Sequence, residues 1–230
     1  MMQKWMPAIA DLFFPRPCAG CGAVPDLPEQ YLCHTCCFSL PYTGFMDQPG
    51  NAVEKIFYGR VSLEAAAALF YFTKNTLLQH LLFALKYRNQ PEAGRLLGRL
   101  MGEALAGAGR FASLDLLVPL PLHPKKEKKR GYNQAALLCD AISIITRIPV
   151  CRNALVRSQF TATQTQQDRV HRWQNMEAVF ALQNAASLQN RRVLLVDDVV
   201  TTGATLEASA ALLSEAGCRV SILTAAYTQP

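Results

Sequence analysis

"VLLVDDVVTTGATLEAS", Val193 to Ser209, is the stretch on which the fold turns. Val193–Val196 reads as a buried strand, and it finishes on two adjacent carboxylates, Asp197 and Asp198. Val199 and Val200 follow, then Thr201, Thr202, Gly203, Ala204 and Thr205. A helix is expected after them, with Leu206, Ala210 and Leu213 on its apolar face and Gly217 at its stop. A strand, a short hydroxyl-rich turn and a helix form an anion cradle. Backbone N–H groups of the turn and the helix N-terminus converge on one spot, and the threonines add donors. Carboxylates cannot bind that anion. They accept hydrogen bonds from a vicinal diol, or hold Mg²⁺ through its waters. A ligand with a phosphate at one end and a ribose diol beside it satisfies both halves.

Two other uses of a hydrophobic strand ending in paired acids fail on context. A Walker B segment needs a G-x4-G-K-[ST] loop, and the dipeptide Gly-Lys does not occur in the chain. A response-regulator receiver needs a further sheet and an acceptor aspartate downstream, but only 32 residues follow Asp198.

Working outward, strand and helix alternate from residue 114 onward. Leu114–Pro119, Val150–Val156 and Arg219–Tyr227 read as further strands, and Asn133–Thr146 as a helix. Apolar strands alternating with helices predict an α/β fold, a parallel sheet with helices on both faces. Residues 50–110 read as mostly helical with one apolar strand, Ala65–Phe72. Leu77, Leu78, Leu81, Leu82 and Leu85 recur at helical spacing, and a second helix runs from Pro91 to a stop at Gly107. Lys86-Tyr87-Arg88 reads as a helix C-terminus that favours cations. Arg157–Trp173 is polar and aperiodic, as functional loops of that length tend to be.

"HPKKEKKRGYNQ", residues 123–134, reads as a basic surface loop. It sets Lys125, Lys126, Lys128, Lys129 and Arg130 against a single Glu127. It could be simply solvated, bind a diphosphate, or meet nucleic acid, with Tyr132 stacking on a base before Asn133 opens the next helix.

Residues 1–45 have a different texture and hold five of the eight cysteines. "CAGC" at 18–21 and "CHTC" at 33–36 are two C-x2-C pairs, and eleven residues separate them. Cys18, Cys21, Cys33 and Cys36 can complete a tetrahedral thiolate site for a structural Zn²⁺, with no position left open for catalysis. Cys37 adjoins the second pair and is an alternative to Cys36, and His34 is a further candidate. Gly20 and Gly22 suit the knuckle. Cys139, Cys151 and Cys218 lie in apolar contexts and read as core. The expected division is a zinc-ribbon-like module over 1–45, with a leading amphipathic helix (Trp5, Ile9, Leu12, Phe13), and one domain over 46–230.

Half the residues are hydrophobic and 17% are charged, which excludes a disordered chain. The net charge of +6 leans towards anionic partners. Asp11 interrupts the apolar N-terminal stretch and no small-residue cleavage site follows, so a signal peptide is not expected. No run approaches 18 apolar residues, so no stable membrane insertion is expected. The expected location is the cytoplasm, where cysteines stay reduced or metal-bound.

The thirteen residues "VLLVDDVVTTGAT" resemble the phosphoribosyl-diphosphate (PRPP) binding motif of type I phosphoribosyltransferases. The two C-x2-C pairs, "VPLPLHPKKEKKRGYNQA" at 118–135, and Thr161, Gln164, Arg169 and Asn175 extend the likeness. Together they resemble the ComF/GntX family of amidophosphoribosyltransferase-like proteins over nearly the whole chain. The resemblance implies a role in natural competence and DNA utilisation, with single-stranded DNA or the uptake machinery as a partner. It also implies Mg²⁺ bound with PRPP or a related ribose 5-phosphate. Asp197 and Asp198 would meet the ribose hydroxyls, and Thr201 to Thr205 the 5′-phosphate. The loop after Leu114–Pro119 would lie at the diphosphate, and Arg157–Trp173 would be a mobile hood. The alternative is an active transferase moving ribose 5-phosphate to a base or amine. Purine-salvage members often carry an acid at the position of Thr201, so a threonine leaves base recognition unassigned.

Overall fold

The computed structural model describes residues 17–25, 30–157, 180–183 and 185–229. The expected helix around Trp5, the hood residues Thr161, Gln164 and Arg169, and Asn175 lie outside them.

Two short helices, α1 (His34–Phe38) and α2 (Ala52–Phe57), precede β1 (Ala65–Phe72). Next come α3 (Leu77–Tyr87), α4 (Pro91–Gly107), β2 (Leu116–Pro119), α5 (Pro124–Arg130) and α6 (Gln134–Thr146). β3 (Leu155–Arg157), β4 (Phe180–Leu182) and α7 (Ala185–Leu188) lead to β5 (Arg192–Val200), α8 (Ala204–Glu215) and β6 (Arg219–Thr228). Four strands form one parallel sheet in the order β1-β6-β5-β2. β5 and β6 pair from Arg192↔Arg219 to Val200↔Tyr227, and β2 joins through Leu116↔Val193 to Pro119↔Val196. The interior residues Val193–Val196, Ile222 and Leu223 are fully covered, as near-continuous apolar strands between helix layers must be.

Sequence signals explain the helix ends. Thr76 and Asn133 cap α3 and α6 by accepting backbone N–H groups with their side chains, and Pro91 opens α4 at a position where its missing N–H costs nothing. Along α3, Leu78, Leu81, Leu82 and Leu85 face the core.

Two expectations are corrected. The basic stretch is a helix, Pro124–Arg130, rather than a loop; none of its residues is buried. The stretch Val150–Val156 is not one strand. Val150 makes a single parallel bridge to Leu117, the chain turns at Arg152-Asn153, and Leu155–Arg157 then pairs antiparallel with β4. Arg152 pairs with Asp140, holding that turn at the surface.

The packing of α4 on α6 is tight at Gly98. A Cβ there would sit 2.7 Å from the Ala141 Cβ and 2.8 Å from the Leu138 carbonyl oxygen. Gly98→Ala is therefore expected to destabilise by about 1–3 kcal/mol. It should appear as a lower urea midpoint at unchanged slope; an unchanged midpoint would contradict the close approach.

Candidate functional site

Ligands of open parallel sheets sit beyond the carboxyl ends of the strands. Here the ends of β2 and β5 bring the candidate residues together. β5 runs through both acids to Val200, then turns at Thr201–Gly203 into α8. Gly203 adopts φ 74°, the left-handed region. A Cβ at Gly203 would also lie 2.6 Å from Ile56 Cγ2 and 2.9 Å from Phe57 Cε1. Only glycine makes this turn against α2. Thr201, Thr202 and Thr205 are exposed at the turn, and the first N–H groups of α8 have no partners within the helix. Helix and hydroxyls thus present donors at one place.

Arg60 fixes the turn from outside. Its Nη1 donates to the carbonyl oxygens of Thr202 and Ile56, both at 3.1 Å, and the guanidinium also pairs with Glu207 on α8.

Asp198 is buried, and Lys86 at the end of α3 places its Nζ 3.0 Å from Asp198 Oδ2. Asp197 accepts the backbone N–H of Asp198 at 2.8 Å. Asp197 keeps some exposed surface, yet desolvation at the sheet end, and then the Asp198 charge, push its carboxyl up to about 8; the Asp198 N–H and Lys86 oppose this only in part.

The excursion 121–132 leaves from the end of β2 and returns to it. Asn133 Nδ2 donates to the Leu120 carbonyl at 3.0 Å, so α6 begins beside the strand end. Gln134 follows at 3% exposure. Its Oε1 accepts from Arg130 at 2.8 Å, and its Nε2 is a buried donor without a partner among the described residues.

Lys125, Lys126, Lys128 and Lys129 all project into solvent from α5. Tyr132 is not presented for stacking, contrary to expectation. It is half-buried, and its hydroxyl donates to the Leu85 carbonyl at 2.8 Å, tying the segment that leads into α6 to α3.

At the N-terminal end, the Sγ atoms of Cys18, Cys21, Cys33 and Cys36 all lie within 4.8 Å of one another. This places Cys36, not Cys37 or His34, in the group. Cys21 and Cys33 sulfurs are 3.7 Å apart, against an edge of about 3.8 Å for a tetrahedron with the metal–sulfur distance of Zn²⁺. The N–H groups of Gly20 and Cys33 each approach Cys18 Sγ at 3.3 Å, the outer-shell support that a thiolate ligand needs. Gly22 takes φ 77°, as the knuckle requires. The donor set therefore fits a thiophilic metal ion. Cys139 and Cys218 are buried core thiols, and Cys151 is half-buried.

Lys86, Arg60 and Gln134 are the site residues that the sequence reading missed. Gln134 had a signal, since it directly follows the helix-capping Asn133. The roles of Lys86 and Arg60 at the site had none, because Asp198, Thr202 and Glu207, the groups they meet there, lie more than a hundred residues away.

A parallel sheet whose acid-bearing strand turns through Gly203 directly into a helix is the architecture of a phosphoribosyltransferase-type domain. Residues 138–229 match the family described as phosphoribosyl transferase domain. The chain is 31% identical to competence protein F of Haemophilus influenzae over 220 residues, covering 89% of this chain and 93% of that protein. It is 34% identical to DNA utilization protein YhgH of Escherichia coli K12 over 143 residues, 61% of this chain and 62% of that one. Competence protein ComFC of Bacillus subtilis is 33% identical over 46% of this chain and 41% of its own. The chain belongs to the ComF family. Among solved structures, a glutamine PRPP amidotransferase from B. subtilis covers 62% of this chain and 30% of its own at 17% identity, with a TM-score of 0.45, too loose a likeness to bear on the site.

The buried acid pair has a pH signature. In the unfolded chain Asp197 titrates near 3.8, and in the folded chain near 8. Between those values the folded state holds a proton that unfolding releases. Stability is therefore expected to fall as pH rises from about 4 to about 8, and to level off above. Asp197→Asn, neutral at every pH, should flatten this fall in melting temperature, measured without ligand or divalent cation. A variant profile as steep as the wild type would assign the slope to other groups.

Proposed function

We propose that the chain binds PRPP, or a related ribose 5-phosphate ligand, at the ends of β2 and β5, and serves DNA utilisation. The observation that carries this reading is the turn from Asp197-Asp198 through Gly203 into α8. It sets diol acceptors and phosphate donors within one short segment. In this reading the 5′-phosphate takes the N–H groups and hydroxyls of Thr201, Thr202, Gly203, Ala204 and Thr205. The ribose hydroxyls take the carboxylates, displacing Lys86 from Asp198. The diphosphate lies towards the β2 end, where Asn133 and the unpaired Gln134 amide stand and Lys125 to Arg130 supply positive charge. Mg²⁺ would arrive with the diphosphate; Asp197 and Asp198 are the oxygen donors that suit its hydration shell, and it would offset the ligand's charge. The names of the relatives, competence protein F and DNA utilization protein YhgH, support the cellular role. No helix among the described residues is long and apolar enough to cross a membrane.

A transferase reading draws on Lys86. Once a diol takes Asp198, its ammonium is free to neutralise a departing diphosphate, the electrostatic contribution that such a step requires. Release of diphosphate from PRPP, measured against a panel of bases and amines, separates transfer from binding alone.

The binding reading makes a direct prediction. PRPP with Mg²⁺ should bind better than diphosphate or an analogue lacking the diol. Hydrogen bonds to charged groups contribute about 1.5–3 kcal/mol each, so Asp197→Asn with Asp198→Asn should weaken PRPP binding by at least about tenfold. Thr202→Val should cost less. Calorimetry giving equal affinity for wild type and double variant would assign the acids another role.

We assign Zn²⁺ to the four-cysteine cluster, as a structural ion that lets a small, loop-rich segment hold its shape. Freshly purified protein should contain one zinc per chain. Cys33→Ser should lose it, and proteolysis should then cut first within residues 17–40. Metal analysis finding no zinc in the wild type would refute the assignment.

A further inference from the structure

The exposed face of α3 carries an arrangement that the PRPP reading does not use. Phe83 and Tyr87 are four residues apart on the helix, so their side chains rise from the same face. Their ring centroids are 4.9 Å apart, tilted by 41°. Both are exposed, at 46% and 65%, on a helix whose other apolar residues are largely covered. A core explanation therefore fails for these two rings.

Each ring is also flanked by a guanidinium. Arg88 lies 5.5 Å from the centroid of Phe83, and Arg130 lies 5.5 Å from that of Tyr87. Arg130 is the last residue of α5, so the ring pair continues directly into the solvent-facing lysines of that helix, with Glu127 as its single acid. On the other side, a groove of about 450 Å³ runs between α3 and the cysteine-bearing segment. It is lined by Pro17, Ala19 and Tyr31 from that segment and by Phe83, Arg88 and Gln90. The Tyr31 hydroxyl donates to Gln90 Oε1 at 3.0 Å and holds the two walls together. Glu127 is the one acid of α5 and Glu92 lies close enough to act on Tyr31, against the six cations Arg88, Lys125, Lys126, Lys128, Lys129 and Arg130.

Aromatic faces in a row, each beside an arginine, with a track of lysines leading away, are what unpaired bases on a phosphate backbone require. A duplex offers no free base face to the rings. A protein partner would have to bring a run of acids to the lysines and would offer the two rings no succession of flat π faces. We propose that the α3–α5 face binds single-stranded DNA, with bases stacked on Phe83 and Tyr87 and the backbone following Arg88, Arg130 and the α5 lysines. This moves the stacking residue from Tyr132, whose hydroxyl is committed to Leu85, to the ring pair one helix away. Stacking and charge do not by themselves separate DNA from RNA; the relatives' name for DNA utilization selects DNA. The proposal extends the DNA half of the proposed function; it shares Arg130 and the α5 lysines with the diphosphate reading, whereas Phe83, Tyr87 and Arg88 take no part in that reading.

The test is fluorescence anisotropy of the full-length protein with a labelled mixed-sequence oligonucleotide of about 30 nucleotides, long enough to span several stacking positions. It is offered as single-stranded DNA, as duplex, and as RNA of the same sequence. Phe83→Ala with Tyr87→Ala should weaken single-strand binding by at least about fivefold per ring. Phe83→Leu with Tyr87→Leu keeps apolar bulk, guards against misfolding, and should lose nearly as much. Replacing Lys125, Lys126, Lys128 and Lys129 with Ala should lower affinity and flatten its salt dependence, by about 0.7 in log–log slope for each phosphate no longer neutralised. PRPP affinity and melting temperature of the leucine pair should match the wild type, so that failure here is distinguishable from failure of the PRPP reading. Unchanged affinity in the leucine pair would overturn the proposal. So would duplex bound as tightly as single strand, or RNA bound more tightly than DNA.

Discussion

Two adjacent carboxylates near the end of a strand, directly after four fully buried residues, form the constraint on which the site depends. Desolvating a carboxylate is costly unless charge or donors compensate it. The chain compensates in two ways. Lys86 brings an ammonium to Asp198, and Asp197 retreats towards its neutral form while accepting the Asp198 N–H. The first requires the end of α3 to lie over the sheet's carboxyl edge. The position of α3 is thus set by its leucines below and by an ion pair at its tip.

That placement has consequences along the same helix. With Leu78, Leu81, Leu82 and Leu85 turned inward and Lys86 turned to the acid, Phe83 and Tyr87 have no interior position left. The carbonyl of Leu85 also receives the Tyr132 hydroxyl, which fixes the return of the basic excursion. A single helix therefore sets the edge of the strand-end site, the anchor for α6 and an exposed aromatic face. Arg60 does comparable work on the other side, tying α2 to the turn and to α8 through Thr202 and Glu207.

The sequence carried most of the elements because their signals are local. β1 and α4 fall at the expected residues, Ala65–Phe72 and Pro91–Gly107, since an apolar run and a proline–glycine frame mark them without reference to the rest of the chain. α5 was illegible as a helix because it is charged on every side and has no apolar stripe to show a period of 3.6. Val150–Val156 looked continuous, but the polar pair Arg152-Asn153 turns the chain, and the two halves join different partners. Spacing alone could not choose between Cys36 and Cys37. Both sit on α1, where neighbours point about 100° apart, so one thiol turns in and the other is left outside the group. Ion pairs such as Lys86–Asp198 join residues far apart in sequence, and no local pattern reports them.

The same physics explains why acids and an anion cradle can share one segment. The N-terminus of α8 carries partial positive charge, and the exposed turn that leads into it follows Asp197 and Asp198 within a few residues. Within the protein the Lys86 ammonium answers the Asp198 charge, and Asp197 is pushed towards its neutral form beside the positive helix end. A ligand that supplies a phosphate to the helix end, hydroxyls to the carboxylates and a second anion to the ammonium gives each a matching partner. A plain anion would satisfy the helix end and the ammonium but leave the carboxylates facing added negative charge; a plain sugar would leave the helix end unserved. Under the proposed PRPP reading, selectivity for a phosphorylated ribose would rest on charge complementarity near the end of one strand, before any contact with a base is considered.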